Sequence, residues 1–119
     1  MSIIPFNYKQ IKIIESCWIN ETPYFTRRAI GEWLGAKNPQ NYVNYIIKRN
    51  MYIDKFSVSV NLTSTDDKNY NVKVYNPIGL QLIINKSNLP KAIQFQVAVA
   101  TLVSEMMNKT LYSNYTQYN

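Results

Sequence analysis

The sequence predicts an α+β domain in which small antiparallel β-hairpins pack with about four helices, including a helix-turn-helix-like pair. Three observations lead to this fold class. The segment Phe56–Leu62 alternates strictly between apolar and polar residues, which is the period of a half-buried strand. Four other segments repeat apolar residues at helical spacing. Two Asn-Pro dipeptides stand where helices begin. The 119 residues suit one compact domain.

The N-terminal part predicts a strand, a turn and a helix. Tyr8–Ser16 alternates polar and apolar residues as a strand does, and Asn20-Glu21 has the composition of a hairpin turn. Thr26 is the expected N-cap of the first helix, and Gly35 is expected to end it. The apolar face of this helix consists of Ile30, Trp33 and Leu34.

A second short helix follows at once. Asn38-Pro39 predicts its start, because proline suits the first helical position, and the apolar pattern fades near Asn50. Its apolar residues are Val43, Ile46 and Ile47. Two short helices around the turn Gly35-Ala36-Lys37 have the dimensions of a helix-turn-helix.

A β-hairpin and a third helix come next. Phe56–Leu62 and Asn71–Tyr75 are the two expected strands, and Ser64–Asn69 is the polar turn between them. Adjacent acids within that turn, Asp66-Asp67, indicate a turn and no metal site. Asn76-Pro77 then opens a helix whose inward residues are Leu80, Ile83 and Ile84.

The last helix is expected to be the longest. It begins at Ser87-Asn88 with Pro90 and has an apolar stripe made of Ala92, Phe95, Val99, Leu102, Val103 and Met106. The stripe is wider than a core alone requires, which predicts a homodimer through this helix. Residues 1–109 form the predicted single domain, and residues 110–119 a polar, tyrosine-rich tail that we expect to be flexible.

The composition excludes several classes of chemistry. Histidine is absent and cysteine occurs once, so His-dependent catalytic triads, intramolecular disulfides and His/Cys zinc sites are excluded. We therefore expect no enzyme, no metal and no cofactor. No apolar run has the length of a membrane span, and the N-terminal residues do not resemble a signal peptide, so we expect a cytoplasmic protein without membrane contact.

The charge is concentrated in one part of the chain. The net charge of +6 comes from 13 basic and 7 acidic residues, which favours a polyanionic partner. All three arginines lie between residues 26 and 50, where five basic residues stand against one acid. This clustering predicts double-stranded DNA as the partner. Contacts to about five phosphates would give log K a slope of about −4 to −5 against log salt.

The first turn of the first helix is a candidate phosphate clamp. A cation at a helix N-terminus is unfavourable, and a phosphate at that position would reverse the sign of the interaction. Thr26, Arg27 and Arg28 are the proposed clamp. The alternative is that both arginines pair with Glu21 or Glu32.

The second helix has a candidate face for reading bases. Asn and Gln can pair with adenine, and Lys with guanine or phosphate. We expect this helix to approach the major groove while Lys37 and Arg49 hold phosphates. The face itself consists of Gln40, Asn41, Asn44, Tyr45 and Lys48.

Two stretches resemble a known family. Trp18–Gly35 is similar to the opening of the BRO family N-terminal domain (Bro-N), which occurs in phage antirepressors and large DNA viruses. Pro77–Gln96 resembles the second hallmark of that domain, a Gly-Leu helix followed by Ser-x-x-x-x-Ala-x-x-Phe. The resemblance covers roughly residues 8–108. It implies an α+β DNA-binding domain that acts in transcription regulation of a phage or mobile element.

A second function stays open on the sequence alone. An antirepressor or defence-evasion protein would bind a protein partner in place of DNA, and tyrosines are good interface anchors. The tyrosines concerned are Tyr42, Tyr45, Tyr52, Tyr70 and Tyr75.

Overall fold

The computed structural model describes residues 16–63 and 68–117, and the fold is α+β as predicted. Its strands are β1 (Ser16–Ile19), β2 (Thr22–Thr26), β3 (Ser57–Thr63) and β4 (Asn69–Tyr75). Its helices are α1 (Arg27–Leu34), α2 (Pro39–Arg49), α3 (Pro77–Asn85) and α4 (Pro90–Gln117), with a 3₁₀ helix at Met51–Phe56. The 3₁₀ helix was not predicted from the sequence.

The two expected hairpins are confirmed and join into one antiparallel sheet. The strand order is β1-β2-β4-β3. The hairpins meet where β2 pairs with β4, through Phe25 opposite Tyr75 and Thr26 opposite Val74. Phe25 and Tyr75 are both fully buried, so this junction lies at the core.

The turn between β1 and β2 lies at the predicted dipeptide. Asn20 has φ 49° and Glu21 has φ 65°, and positive φ at both central residues is typical of the type I′ turn of tight hairpins. Residues 8–15 of the predicted first strand lie outside the described residues, and so does Asp66-Asp67.

Two of the three predicted N-caps make the expected hydrogen bond. Thr26 Oγ1 accepts from the Ala29 N–H at 3.0 Å, and Asn76 Oδ1 accepts from the Gly79 N–H at 2.9 Å. Asn38 precedes α2 without a side-chain cap bond. Its backbone, at φ −118° and ψ 84°, differs from the extended geometry of the other two caps.

Glycine fixes how α1 ends and how it meets α2. Gly35 has φ 81° and ends α1 as predicted, in a Schellman arrangement with N–H···O bonds from Gly35 to Glu32 and from Ala36 to Gly31. A Cβ on Gly31 would collide with the Pro39 carbonyl, so the two helices touch backbone to backbone.

The helices and strands pack around one hydrophobic core. The fully buried residues of this core come from helices and from strands and include Phe25, Ile30, Val43, Ile53, Tyr75, Ile83, Ile84 and Ala92. The apolar residues predicted for α1, α2 and α3 are all buried.

Only the first part of the predicted apolar stripe of α4 lies in the core. Ala92 and Phe95 are buried and Val99 packs against the core, but Val103 and Met106 are exposed. The helix also continues through Gln117, where the sequence predicts a tail from residue 110. No glycine or proline follows Pro90, so the residues that most often end a helix are absent from this part of the sequence.

Candidate nucleic-acid interface

Six of the ten side chains predicted to contact DNA are exposed on α2 or in the turn before it. Because Val43, Ile46 and Ile47 are buried, helical periodicity turns the opposite side of α2 outward. Lys37 is exposed in the turn before the helix. We use the name α2 face for the exposed set of Lys37, Gln40, Asn41, Tyr45, Lys48 and Arg49.

The α2 face is basic and has no acidic neighbour in the sequence. No Asp or Glu occurs between Glu32 and Asp54, so the three cations of the face are not neutralised from within this stretch. Lys48 and Arg49 lie in the last turn of α2, where cations also suit the helix dipole. Their position therefore stabilises the helix as well as charging its surface.

Arg49 and Tyr45 order one another on this face. The Arg49 guanidinium lies 4.7 Å from the centre of the Tyr45 ring, which is a cation–π contact. The Tyr45 ring is itself more than half exposed. The pair thus holds a cation and an aromatic surface together at the C-terminal end of α2.

Arg27 lies in a partly buried network of hydrogen bonds and ion pairs within the protein. Its Nε and Nη2 donate to the Tyr75 hydroxyl at 3.0 and 2.8 Å, and its Nη1 donates to Asn44 Oδ1 at 2.9 Å. Nη2 also lies 3.5 Å from Asp54 Oδ1. Asn44 is thereby separated from the other members of the predicted reading face, because its side chain is used within the protein.

Asp54 is the anionic centre of this network. It accepts from the Tyr75 hydroxyl at 2.6 Å and from Lys73 Nζ at 3.0 Å. We use the name Arg27 network for the five side chains joined by these contacts: Arg27, Asn44, Asp54, Lys73 and Tyr75. Since Asn44 belongs to α2 and Tyr75 to β4, the network connects α2 to the sheet.

The ionisation of the network follows from its contacts. Burial alone would raise the pKa of Asp54, but hydrogen bonds from Tyr75 and Lys73, with the charges of Lys73 and Arg27, outweigh it and hold that pKa below its ordinary value. Burial, followed by the hydrogen bond to Asp54, raises the pKa of Tyr75 to about 12. The network therefore favours an ionised carboxylate and a neutral phenol.

Arg28 adopts the alternative that the sequence left open. Its Nε donates to Glu32 Oε1 at 2.9 Å, one helical turn away, and its side chain remains 66% exposed. Exposed pairs of this kind contribute about 0.3–0.5 kcal/mol, so a phosphate can compete for Arg28. Thr26 uses its hydroxyl to cap α1. The three proposed clamp residues are thus divided between an internal network, a surface ion pair and a helix cap.

Some of the tyrosines proposed as interface anchors lie inside the fold. Tyr75 is completely buried, and the Tyr42 hydroxyl is 2.9 Å from Ser87 Oγ, where it links α2 to the loop before α4. Tyr75 therefore cannot anchor a partner. Tyr45 and Tyr52 are exposed, and the side chain of Tyr70 lies outside what the structure describes.

Sequence reasoning did not identify Asp54, Lys73 or the inward role of Tyr75. The available signal was weak: Asp54 is the first acid after a long stretch without any. Within the described ranges, no group of three His, Cys, Asp or Glu side chains could hold a metal ion. No helix in those same ranges is both long and apolar enough to cross a bilayer.

Comparison with known proteins gives one family match. A family model described as "BRO family, N-terminal domain" matches residues 11–106. This confirms the resemblance stated from the two sequence stretches. No curated protein and no solved structure shows a significant match.

Proposed function

The chain belongs to the BRO family through an N-terminal domain that spans residues 11–106, and from this premise we propose that it is a DNA-binding regulatory protein of a phage or mobile genetic element. One observation carries the proposal. The α2 face presents three cations, two amides and an aromatic ring on one exposed surface, with no acid in the stretch that forms it. Phosphates and base edges are recognised by these residue types.

In this proposal α1 and α2 act as a helix-turn-helix-like pair, and α2 enters the major groove. Gln40 and Asn41 contact adenine edges, since amides can donate and accept there together. Lys37, Lys48 and Arg49 contact phosphates of the DNA backbone. The close packing of α1 on α2 through Gly31 makes the pair rigid, which suits docking as a unit.

The roles of the α1 residues are divided by what they touch. Arg28 is a phosphate contact, because it is exposed and its pair with Glu32 is weak. Arg27 and Asn44 are positioning residues that hold α2 against the sheet, and Thr26 caps α1. Four exposed cations remain for phosphates: Arg28, Lys37, Lys48 and Arg49.

The test is the salt dependence of binding to a random DNA duplex. Fluorescence anisotropy between 50 and 200 mM NaCl should give a slope of log K against log salt of about −3 to −4, because each phosphate contact contributes about −0.9. The double variant Lys48→Ala/Arg49→Ala should reduce the slope by about 2. Its matched control is Lys86→Ala, which removes an exposed cation at the end of α3, outside the α2 face.

The control should bind like the parent protein. A slope near zero for the parent protein contradicts the proposal, and so does an equal loss in the Lys86→Ala variant. The slope near zero favours the protein-binding alternative, an antirepressor or defence-evasion function, for which Tyr45 and Tyr52 are the exposed aromatic anchors. The equal loss shows that DNA binding does not depend on the α2 face.

A further inference from the structure

α4 has two apolar sides, and the core uses only the first part of one of them, from Ala92 to Val99. Ala92 and Phe95 are buried against the other helices. On the opposite side, Ile93 is 47% exposed, Val97 60% and Met107 59%. Isolated apolar side chains on a surface are ordinary, but several on one side of one helix indicate a binding surface.

The exposed side follows the spacing of a helix pair. The outer seam, as we name it, consists of Ile93, Val97, Ala100, Ser104 and Met107. Its steps alternate between four and three residues, which is the heptad spacing of two helices that pack along each other. The large side chains lie at the two ends and the small ones, Ala100 and Ser104, in the middle. Small central residues allow two helix backbones to approach closely.

We propose that the outer seam pairs with the outer seam of a second copy of this chain. The sequence also predicts a homodimer through this helix, by way of the apolar stripe that begins at Ala92 and Phe95. Those two residues are buried in the core, so the pairing surface proposed here is the other side of α4. This proposal concerns a different surface from the α2 face and does not rest on DNA binding.

The charge distribution favours a second copy over another partner. Glu105 is the one charged residue between positions 92 and 108, and the residues beside the seam are Gln94, Gln96, Thr101 and Asn108. Two chains of net charge +6 can therefore meet here without bringing like charges together. A strongly charged partner helix would find no complementary charge beside the seam.

The seam is also compatible with two-fold symmetry. Ala100 is its central member, so it faces Ala100 of the second copy whether the helices run parallel or antiparallel. In an antiparallel pair, Ile93 packs near Met107 of the second copy. A surface that matches itself in this way forms a closed dimer and no open chain of molecules.

Sedimentation equilibrium of the full chain in DNA-free buffer tests the proposal. As the concentration rises, the average mass should increase from 13.9 kDa toward twice that value. The variant Val97→Glu/Met107→Glu should raise the dimer dissociation constant at least about tenfold, since it places carboxylates in an apolar contact. The matched control is Ile78→Glu, which changes a comparably exposed aliphatic residue on α3, 55% exposed, and should leave the equilibrium unchanged.

A crosslinking experiment locates the contact independently. In a Cys17→Ser background, Ala100→Cys should form a disulfide-linked dimer under mild oxidation, because facing central residues come within the Cα separation that a disulfide spans. Ile78→Cys in the same background should stay monomeric.

The proposal is overturned if the parent protein sediments at 13.9 kDa at every concentration. It is also overturned if Ile78→Glu weakens association as much as the seam variant, or if Ala100→Cys crosslinks no better than Ile78→Cys. All of these measurements are made without DNA, so their failure is distinguishable from a failure of the α2 face to bind DNA.

Discussion

Substituting alanine for either of two adjacent arginines should affect different properties of the protein. Arg27→Ala removes hydrogen bonds to Tyr75 and Asn44 and an ion pair with Asp54, from a side chain that is 25% exposed. Arg28→Ala removes one ion pair from a side chain that is 66% exposed. Arg27→Ala is therefore a stability variant, and Arg28→Ala is a binding variant.

The magnitudes follow from these contacts. Arg27 has three partners, and at about 1 kcal/mol for each of them Arg27→Ala should lower the free energy of unfolding by roughly 2–3 kcal/mol. The loss is no larger because Tyr75 and Asp54 keep their hydrogen bond to each other. For Arg28→Ala, losing the pair with Glu32 costs about 0.3–0.5 kcal/mol. Removing a cation from the first turn of α1 returns a similar amount, so the net change should stay within about 0.5 kcal/mol.

Urea unfolding followed by far-UV circular dichroism measures both changes. For a chain of this size, the loss in Arg27→Ala should lower the midpoint by about 1–2 M, and the Arg28→Ala midpoint should not move measurably. Arg27→Lys is the further comparison, because it keeps the charge but not the planar fork, and it should lose most of the same stability. If the two alanine variants unfold within about 0.5 kcal/mol of each other, the Arg27 network does not stabilise the fold.

Other outcomes follow from the same structure. Gly31→Ala should destabilise the protein by about 2–3 kcal/mol, since its Cβ has no room between α1 and α2. Gly35→Ala should cost about 1 kcal/mol, because the added Cβ lies in open space but the residue has a positive φ. Thermal unfolding measures both changes. Because the pKa of Asp54 is lowered, its ionised form stabilises the fold above the ordinary carboxyl pKa, and this stability is lost as the pH falls below about 4. Urea unfolding at several pH values should show this loss in the parent protein and not in Asp54→Asn. The raised pKa of Tyr75 contributes stability below pH 10 that is lost as the pH rises toward about 12, and titration of phenol absorbance should show a late-ionising tyrosine that is missing in Tyr75→Phe. Asn41→Ala should reduce the affinity ratio between a preferred and a random duplex about tenfold and leave the salt slope unchanged; a changed slope would contradict its assignment to a base.

The parts of the fold that sequence could predict are those determined by nearby residues. The apolar faces of α1, α2 and α3, the caps at Thr26 and Asn76, and the β3–β4 hairpin each depend on a period or a turn only a few residues long. The pairing of β2 with β4 joins residues about fifty positions apart, and no local pattern encodes it. The 3₁₀ helix was missed because its residues follow neither the helical nor the strand period.

In the candidate site, too, the features set by nearby residues were predictable and those set by distant residues were not. Exposure on α2 was predictable, because burial of Val43, Ile46 and Ile47 leaves the other side of one helix in solvent. The partners of Arg27 were not predictable, because Asn44, Asp54 and Tyr75 come from three separate elements. A helix rotates by about 100° per residue, so Arg27 and Arg28 leave α1 in different directions despite being neighbours.

This difference changes how the charge of the protein should be counted. From the sequence, about five cations are available to DNA, which gives an expected salt slope of about −4 to −5. The side chain of Arg27 is engaged in the network, so four cations are left and the expected slope becomes about −3 to −4. A double variant that removes both arginines would mix a loss of folding with a loss of binding and could not distinguish DNA from a protein partner. Arg28→Ala alone makes that distinction, because it should reduce the slope by about 0.9 in a protein whose unfolding midpoint is unchanged.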